Sequence, residues 1–272
     1  MAAELGPPVE LTAREDGEGS VIVLLHGAAG DHRLWNAVFP ALAKDHHVLA
    51  VDLRGHGRTP APEGSTFSLA EMENDLLKFL DARGGASVHL VGMSTGALLA
   101  LRTTLDHPGR VRSLTMVCGA AYIDPHTRSV AERWDDEYHE AGADAFALRI
   151  LKDLYYPDWI EAHLDYADEV RAGAAKVNLE PALAWSRASL SFDERKRIAQ
   201  LECPALIIQA MDDALIDASH GRILRQSING AQIRILAQTG HMVPLERPAE
   251  TAEAITAFIA GVEAKAAAPG TA

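Results

Sequence analysis

The sequence predicts an α/β protein in which a mostly parallel β-sheet is flanked by helices and interrupted by a helical insertion. Short apolar runs alternate with helix-like segments up to about residue 121. This rhythm stops over about residues 122–200 and resumes from Cys203 to Val262. The runs up to residue 121 are mainly apolar rather than strictly alternating, as in strands of a parallel sheet that is buried on both faces. A length of 272 residues suits one large domain with an insertion.

The individual strands and helices follow from local patterns. The runs that predict strands are Val21–Leu25, His47–Val51, Val88–Val91, Ser113–Val117, Ala205–Gln209 and Gln232–Leu236. The segment Ser68-Leu-Ala-Glu71 has a capping-box pattern, and it predicts a helix that runs to about Arg83. Further helices are expected over Ala97–Leu105, near His220–Ile228 and from Pro248 onwards.

The middle segment, residues 122–200, is helix-like and is punctuated by Pro125, Pro157 and Pro181. It holds 10 of the 15 Phe, Trp and Tyr residues, and residues 131–169 carry 12 acidic side chains against 3 basic ones. We therefore predict a core formed by residues 1–121 and 201–263, a helical insertion over 122–200, and a flexible alanine-rich tail over 264–272.

A Gly-x-Ser-x-Gly motif, Gly92-Met93-Ser94-Thr95-Gly96, lies between an apolar run and a helix-like stretch. Strand, sharp turn and helix are the setting of a nucleophile elbow, where glycines let the crowded backbone turn. The turn lifts the Ser94 hydroxyl above the sheet and places an oxyanion near the N–H groups of the helix. We predict Ser94 as a nucleophile; the alternative is a structural serine in a glycine-rich turn.

A serine nucleophile needs a base, and the base needs an acid that orients it. His241 follows the last strand-like run, and Asp212 and Asp213 follow the run before it. The chain order Ser, Asp, His is one of the known orders of a catalytic triad. The alternative for His241 is an ordinary loop histidine.

With these residues in place, the chain resembles the α/β-hydrolase fold family. The segment His26-Gly27-Ala28 resembles the oxyanion loop of that family, and the segment from Asp52 to Gly57 resembles its D-x-R-G-x-G motif. The similarity spans about residues 9–262. It implies a sheet of the eight-stranded type and a helical cap inserted after strand six.

The resemblance also implies the roles of the site residues. The triad is Ser94, Asp213 and His241, and the backbone N–H groups of Ala28 and Thr95 form the oxyanion hole. No metal or organic cofactor is required. The acids that remain as alternatives to Asp213 are Asp212, Asp124 and Asp217.

Residues that contact the substrate are harder to select. The candidates are Met93, Trp134, Tyr138 and Trp159, with Tyr155, Tyr156 and Trp185 as further aromatic residues of the insertion. The alternative is that these rings pack the helices of the insertion. For Asp52 and Arg54, we predict an ion pair that braces two loops rather than a clamp for an anionic substrate.

The composition excludes several classes of partner. A net charge of −13 disfavours nucleic acids and anionic membranes, because phosphates would be repelled. No stretch reads as a signal peptide or a membrane span, so a cytoplasmic protein is expected. Cys118 and Cys203 lie in or beside apolar runs and are expected to be unreactive thiols. No four-ligand metal pattern is present.

These observations predict a serine hydrolase that cleaves a small carboxylic ester or lactone. The layout resembles that of enol-lactone hydrolases in general terms. Ser94 argues against the dehalogenase and epoxide hydrolase branches, which use an aspartate at the elbow. Carbon–carbon bond hydrolases and hydrolase-like signal receptors or stress-response proteins remain alternatives, since both can keep an intact triad. The oligomeric state does not follow from the sequence.

Overall fold

A computed structural model describes residues 6–267 and contains a seven-stranded sheet with the order β1-β3-β2-β4-β5-β6-β7. Only β1 is antiparallel to its neighbour; the other strands pair in parallel. The strands are β1 (Thr12–Asp16), β2 (Val21–Leu25), β3 (His47–Asp52), β4 (Val88–Met93), β5 (Val111–Val117), β6 (Ala205–Ala210) and β7 (Gln232–Leu236).

All six predicted strands are confirmed, and four of them extend by one or two residues. The prediction missed β1, whose sequence Thr-Ala-Arg-Glu-Asp is too polar for a buried strand. It lies at the edge of the sheet and pairs only with β3, so polar side chains are tolerated there. Over the described residues the sheet has seven strands rather than the eight that the family resemblance implied.

The helices fall into two groups. The core group is α1 (Phe39–Leu42), α2 (Leu69–Asp81), α3 (Thr95–Asp106), α8 (Ala218–Ser227), α9 (Val243–Glu246) and α10 (Pro248–Ala267), and the group between β5 and β6 is α4 (Pro125–Leu154), α5 (Pro157–Ala162), α6 (Leu164–Ala174) and α7 (Glu180–Ser189). Helix α10 includes residues 264–267 of the predicted flexible tail; residues 268–272 lie outside the described residues.

The start of α2 shows half of the predicted capping box. The Ser68 hydroxyl accepts a hydrogen bond from the Glu71 backbone N–H at 3.2 Å. The Glu71 carboxylate does not return to Ser68 but accepts from the backbone N–H and hydroxyl of Thr66, both at 2.8 Å. The helix therefore begins where the motif predicts, with the turn before it fixed by Thr66.

Two apolar clusters cover the two faces of the sheet. Alternate strand residues enter alternate clusters, as the two-residue period of a β-strand requires. In β2, for example, Val23 packs with α2 and α3, whereas Ile22 packs with α1 and α10. Met93 belongs to the second cluster, together with Trp35, and is 1% exposed. Its side chain therefore fills the core below the elbow.

The segment between β5 and β6, where we predict a helical insertion over residues 122–200, leaves and rejoins the core at one place. Tyr122 forms an antiparallel bridge with Asp193, and the Glu194 N–H donates to the Ala121 carbonyl at 2.8 Å. Its first helix, α4, bends at Gly142, where φ is 85°. The strand that precedes the insertion is β5, the fifth of the seven described strands, and a place after strand six of the family stays a prediction.

The predicted ion pair between Asp52 and Arg54 is wrong, because each of the two residues pairs with a different side chain. Arg54 is buried and forms two hydrogen bonds to Asp75 on α2, at 2.7 and 2.8 Å. Asp52 accepts instead from the His32 ring at 2.7 Å and from Arg58 at 3.0 Å. Both residues brace loops, but the chain after β3 turns them toward different elements.

Glu73 on α2 lowers the stability of the folded protein in a pH-dependent way. Its side chain is buried, its Oε1 atom has no hydrogen-bond partner within residues 6–267, and His107 Nε2 is 3.9 Å away. Burial, together with the charge of Asp106, raises its pKa from 4.5 to about 7. The folded protein therefore holds this proton to higher pH than the unfolded chain, and stability falls as pH rises from about 4.5 through about 7.

Replacing Glu73 by glutamine should remove this pH-dependent loss. We expect Glu73→Gln to have a higher free energy of unfolding in urea than wild type at pH 8, and this advantage should be smaller at pH 4.5. An equal difference between the two proteins at both pH values would contradict the assignment.

Candidate active site

The turn between β4 and α3 holds Ser94 in a strained conformation, with φ 55° and ψ −124°. A Cβ atom on Gly92 would overlap the backbone of Gly96, and one on Gly96 would overlap the carbonyl of His26. Only glycine fits at these two positions. Because a positive φ is costly for a residue with a Cβ, the surrounding structure must hold Ser94 in place.

His241 and Asp213 form a buried hydrogen-bonded pair. His241 Nδ1 lies 2.7 Å from Asp213 Oδ2, and the two residues are 2% and 6% exposed. The other carboxylate oxygen, Oδ1, accepts from the backbone N–H groups of Leu215 and Ile216, each at 2.9 Å. The acid is thus fixed by backbone donors on one side and orients the imidazole on the other.

The other candidate acids have different partners. Asp124 caps α4 through the Thr127 N–H at 2.7 Å and lies 3.3 Å from His220. Asp217 caps α8 through the Ser219 N–H, and Asp212 is exposed. Of the four acids considered, Asp213 is the one that the fold brings to His241.

The elbow and the His241–Asp213 pair lie at the same edge of the sheet. The Ser94 N–H donates to the Val117 carbonyl at 2.9 Å, where β5 ends. The next residue is Cys118, whose sulfur lies within 4.8 Å of ligand atoms of Asp213 and His241. His241 Nε2 is buried and has no hydrogen-bond partner in the described part of the chain. This nitrogen is therefore available to accept a proton.

The predicted oxyanion residues are in contact. The Ala28 N–H donates to the Thr95 hydroxyl at 2.7 Å, and a Cβ on Gly27 would lie 3.0 Å from the Ser94 Cβ. The loop after β2 thus meets the first turn of α3. In this arrangement the Thr95 hydroxyl occupies the donor that an oxyanion would need.

His26 supports this loop and cannot act as a base. Its Nδ1 bonds the Gly27 carbonyl at 2.7 Å, and its Nε2 accepts from the Leu53 N–H at 3.0 Å. Burial, assisted by the charge of His56, lowers the pKa of His26 to about 3. The ring is neutral, and both nitrogens are engaged.

The thiol of Cys118 is also unreactive. Burial, together with the charge of the Asp213 carboxylate, raises the pKa of its thiol well above the usual value. The thiol stays protonated, so it is a poor nucleophile beside Asp213 and His241.

The insertion touches the three loops that carry these groups. The Thr127 hydroxyl donates to the Leu215 carbonyl beside Asp213 at 2.9 Å. The Tyr156 N–H donates to Glu246 beside His241 at 3.2 Å. The Trp185 ring lies edge-on to the His26 ring, with centroids 6.0 Å apart. The insertion therefore contacts three loops at the edge of the sheet where Ser94 lies.

Most of the predicted substrate-contacting rings pack within the insertion. Trp134 donates its indole N–H to Asp153 at 2.9 Å, and Tyr138 meets the edge of Phe146. Trp159 stacks on two further rings, Tyr155 and His163. With Met93 in the core, the substrate role of these four residues stays a prediction. Trp185, which has no distinguishing pattern in the sequence, is the insertion ring that reaches the oxyanion loop.

Two groups of side chains in the described residues have donor atoms close enough to hold a metal ion. They are Cys118, Asp213 and His241, and Asp31, His32 and Asp52. In each group an imidazole is already hydrogen-bonded to a carboxylate at 2.7 Å. We therefore interpret both as hydrogen-bonded clusters.

A family model described as the alpha/beta hydrolase fold matches residues 20–248, which is most of the chain and includes every residue of the candidate site. This chain belongs to the α/β-hydrolase fold family. It is therefore a hydrolase of that family, as the sequence resemblance implied.

Several characterised or named proteins are similar to this hydrolase. A protein of Klebsiella pneumoniae named "putative carbamate hydrolase RutD" is 33% identical over 81% of this chain and 84% of its own. The protein of that name from Caulobacter vibrioides is 30% identical over 89% of this chain and 90% of its own. The enol-lactonase structure from Burkholderia xenovorans LB400 has a TM-score of 0.85 and 26% identity, over 93% and 97% of the two chains.

No helix of the hydrolase between residues 6 and 267 combines the length and apolar character needed to span a bilayer.

The Thr95 hydroxyl gives a testable effect on this hydrolase. Thr95→Ala frees the Ala28 N–H, so we expect kcat/KM to rise by about 2- to 10-fold, the value of one net hydrogen bond. Thr95→Ser keeps the hydroxyl and should behave as wild type. A lower kcat/KM in Thr95→Ala would show that the hydroxyl itself stabilises the oxyanion.

Proposed function

We propose that this hydrolase cleaves a carboxylic ester or lactone through an acyl-enzyme on Ser94, with His241 as the base and Asp213 as the orienting acid. The observation that carries the proposal is the buried His241–Asp213 hydrogen bond of 2.7 Å at the sheet edge that also presents the strained Ser94. The free Nε2 of His241 supports the role of base.

The first half of the reaction forms the acyl-enzyme. Ser94 Oγ attacks the carbonyl carbon while His241 Nε2 takes the hydroxyl proton. The tetrahedral intermediate then collapses, and Nε2 returns that proton to the departing alcohol oxygen. In a lactone the alcohol stays attached to the acyl group. Asp213 accepts from Nδ1 throughout and stabilises the imidazolium.

The second half releases the acid. A water molecule gives a proton to His241 Nε2 and attacks the acyl carbon, and collapse of the second intermediate returns the proton to Ser94. In both halves negative charge develops on the carbonyl oxygen, where the N–H groups of Ala28 and Thr95 are the proposed donors. These donors sit at the junction of the β2 loop and α3, where Ala28 and Thr95 already touch.

We interpret the helical insertion as a cap over this site. Its contacts with the Asp213 loop, the His241 loop and the His26 ring support that interpretation. A cap would exclude bulk water while the oxyanion forms and would shape the pocket for the acyl and leaving groups.

Carbamates are a second candidate substrate class, because relatives that align over most of this chain carry the name carbamate hydrolase. A carbamate carbonyl can be attacked by the same serine and stabilised by the same donors. The carbon–carbon hydrolase and receptor hypotheses have no support beyond the shared fold.

The test combines labelling with a substrate panel. A fluorophosphonate should modify the protein once, with the adduct mapped to the peptide that contains Ser94. Hydrolysis of matched p-nitrophenyl esters, aliphatic lactones and N-alkyl carbamates then ranks the substrate classes by kcat/KM. Labelling elsewhere, or turnover that persists after complete labelling of Ser94, would refute the proposed mechanism.

A further inference from the structure

The loop that carries His241 is docked onto the insertion, at the junction between α4 and α5. The Met242 N–H donates to the Leu154 carbonyl at 3.2 Å. A Cβ on Gly240 would lie 2.6 Å from both the Tyr155 carbonyl carbon and the Tyr156 nitrogen. The residues on either side of His241 thus lie directly against the backbone of the insertion.

One buried carboxylate joins these two segments. Glu246 Oε2 accepts from the Gly240 N–H at 2.9 Å and from the Tyr156 N–H at 3.2 Å. The second oxygen, Oε1, is buried and lacks a hydrogen-bond partner in the structure as described for residues 6–267. Burying a carboxylate is costly, and a purely apolar residue would fill the space at lower cost. The presence of a carboxylate at this position is explained by the two N–H groups that donate to it.

We propose that Glu246 is a positioning residue that ties the His241 loop to the insertion, so that the seating of the insertion sets the orientation of the base. The inference rests on the proposed function, because it takes His241 to be the base. It adds that the helices between β5 and β6 act on proton transfer as well as on substrate binding.

The geometry restricts how the coupling works. His241 lies between two anchors. Asp213 holds its ring, and the flanking backbone is tied to the insertion by the Met242 bond to Leu154 and by the Gly240 bond to Glu246, which also accepts from Tyr156. Lifting the α4–α5 junction would break the Tyr156 and Leu154 bonds, and only the Asp213 bond to the ring and the Gly240 bond to Glu246 would still hold this loop. A small displacement of a general base is enough to lower a rate by about 100-fold.

The first test compares two substitutions of Glu246. Glu246→Gln keeps an oxygen that can accept both N–H groups, so kcat should stay within about 3-fold of wild type. Glu246→Ala removes the acceptor, and kcat should fall by about 10- to 100-fold, as for other residues that orient a catalytic group, with KM changed by less than about 3-fold. Glu73→Ala is the control, since it removes another buried carboxylate, one that lies beside His107 at the end of α3 opposite Ser94.

The second test removes one donor without touching Glu246. Tyr156 has φ −65° and the preceding Tyr155 is extended, so the backbone at position 156 suits proline, which removes the N–H together with the ring. Tyr156→Ala controls for the lost ring. We expect kcat of Tyr156→Pro to be about 3- to 10-fold below that of Tyr156→Ala, and no further loss in the double variant with Glu246→Ala.

A readout apart from turnover keeps this inference separate from the proposed function. The His241 Nδ1 proton, bonded to Asp213, should give a low-field proton NMR signal that broadens or shifts in Glu246→Ala and Tyr156→Pro but not in Glu73→Ala. Equal kcat in the Gln and Ala variants, additive losses in the double variant, or an unchanged signal would overturn the inference. Turnover that survives Ser94→Ala would instead refute the proposed function.

Discussion

Replacing Ser94 by alanine should lower kcat for the best ester of the panel by about 10⁴- to 10⁶-fold, as when a triad nucleophile is removed. The substitution deletes only the Oγ atom, because alanine keeps the Cβ and meets the same positive φ of 55°. The strain of the elbow is therefore equal in both proteins, and stability should change by less than about 1 kcal/mol.

The measurement is kcat and KM together with thermal unfolding of both proteins. KM should change little, since the acyl pocket is intact, and the fluorophosphonate adduct should disappear. Thr95→Ser, one residue away, should keep both turnover and labelling. A Ser94→Ala protein with a wild-type melting temperature and more than about 1% of wild-type kcat would mean that another group attacks the substrate.

Replacing Asp213 by asparagine should lower kcat by about 10⁴-fold at neutral pH, because it forces the wrong tautomer of the base. The remaining side-chain oxygen can keep the two bonds from the Leu215 and Ile216 N–H groups. The new amide NH₂ then faces His241 Nδ1, so Nδ1 must act as acceptor and Nε2 must carry the proton. A protonated Nε2 cannot take the proton of Ser94.

The matched control is Asp212→Asn, which makes the same chemical change at the adjacent exposed residue. It should retain wild-type kcat, whereas Asp213→Asn should lose the low-field proton signal of His241 and most turnover. If both variants lost activity equally, the loop after β6 rather than the Asp213 carboxylate would be responsible.

Local signals made the core of this fold and of its candidate site predictable. The elbow is encoded within one strand, one turn and one helix. Gly92 is required by a contact inside the turn, whereas Gly96 is required by the close approach of the His26 carbonyl. The parallel strands β4, β5 and β6 then bring their carboxyl ends together, so Ser94 and Asp213 share an edge of the sheet.

The features that were missed depend on partners far away in the sequence. Strand β1 is polar and forms only because β3 offers a free edge. Arg54 finds its carboxylate on α2, at Asp75, and not on the neighbouring Asp52. In the sequence, nothing distinguishes Glu246 from an ordinary helix residue. Its role depends on Tyr156, which lies 90 positions earlier and contacts it only in the folded protein. Side-chain pairs of this kind carry no periodic pattern from which to predict them.

Because the two ends of the insertion lie next to each other, we expect that its helices can be exchanged as one unit. The chain departs at Ala121–Ile123 and rejoins at Phe192–Glu194, where an antiparallel bridge and two backbone hydrogen bonds hold the two ends side by side. A graft that changes substrate preference must nevertheless reproduce one detail of the original. It has to present a carbonyl and an N–H where Leu154 and Tyr156 present theirs, or the exchanged protein will bind new substrates without turning them over efficiently.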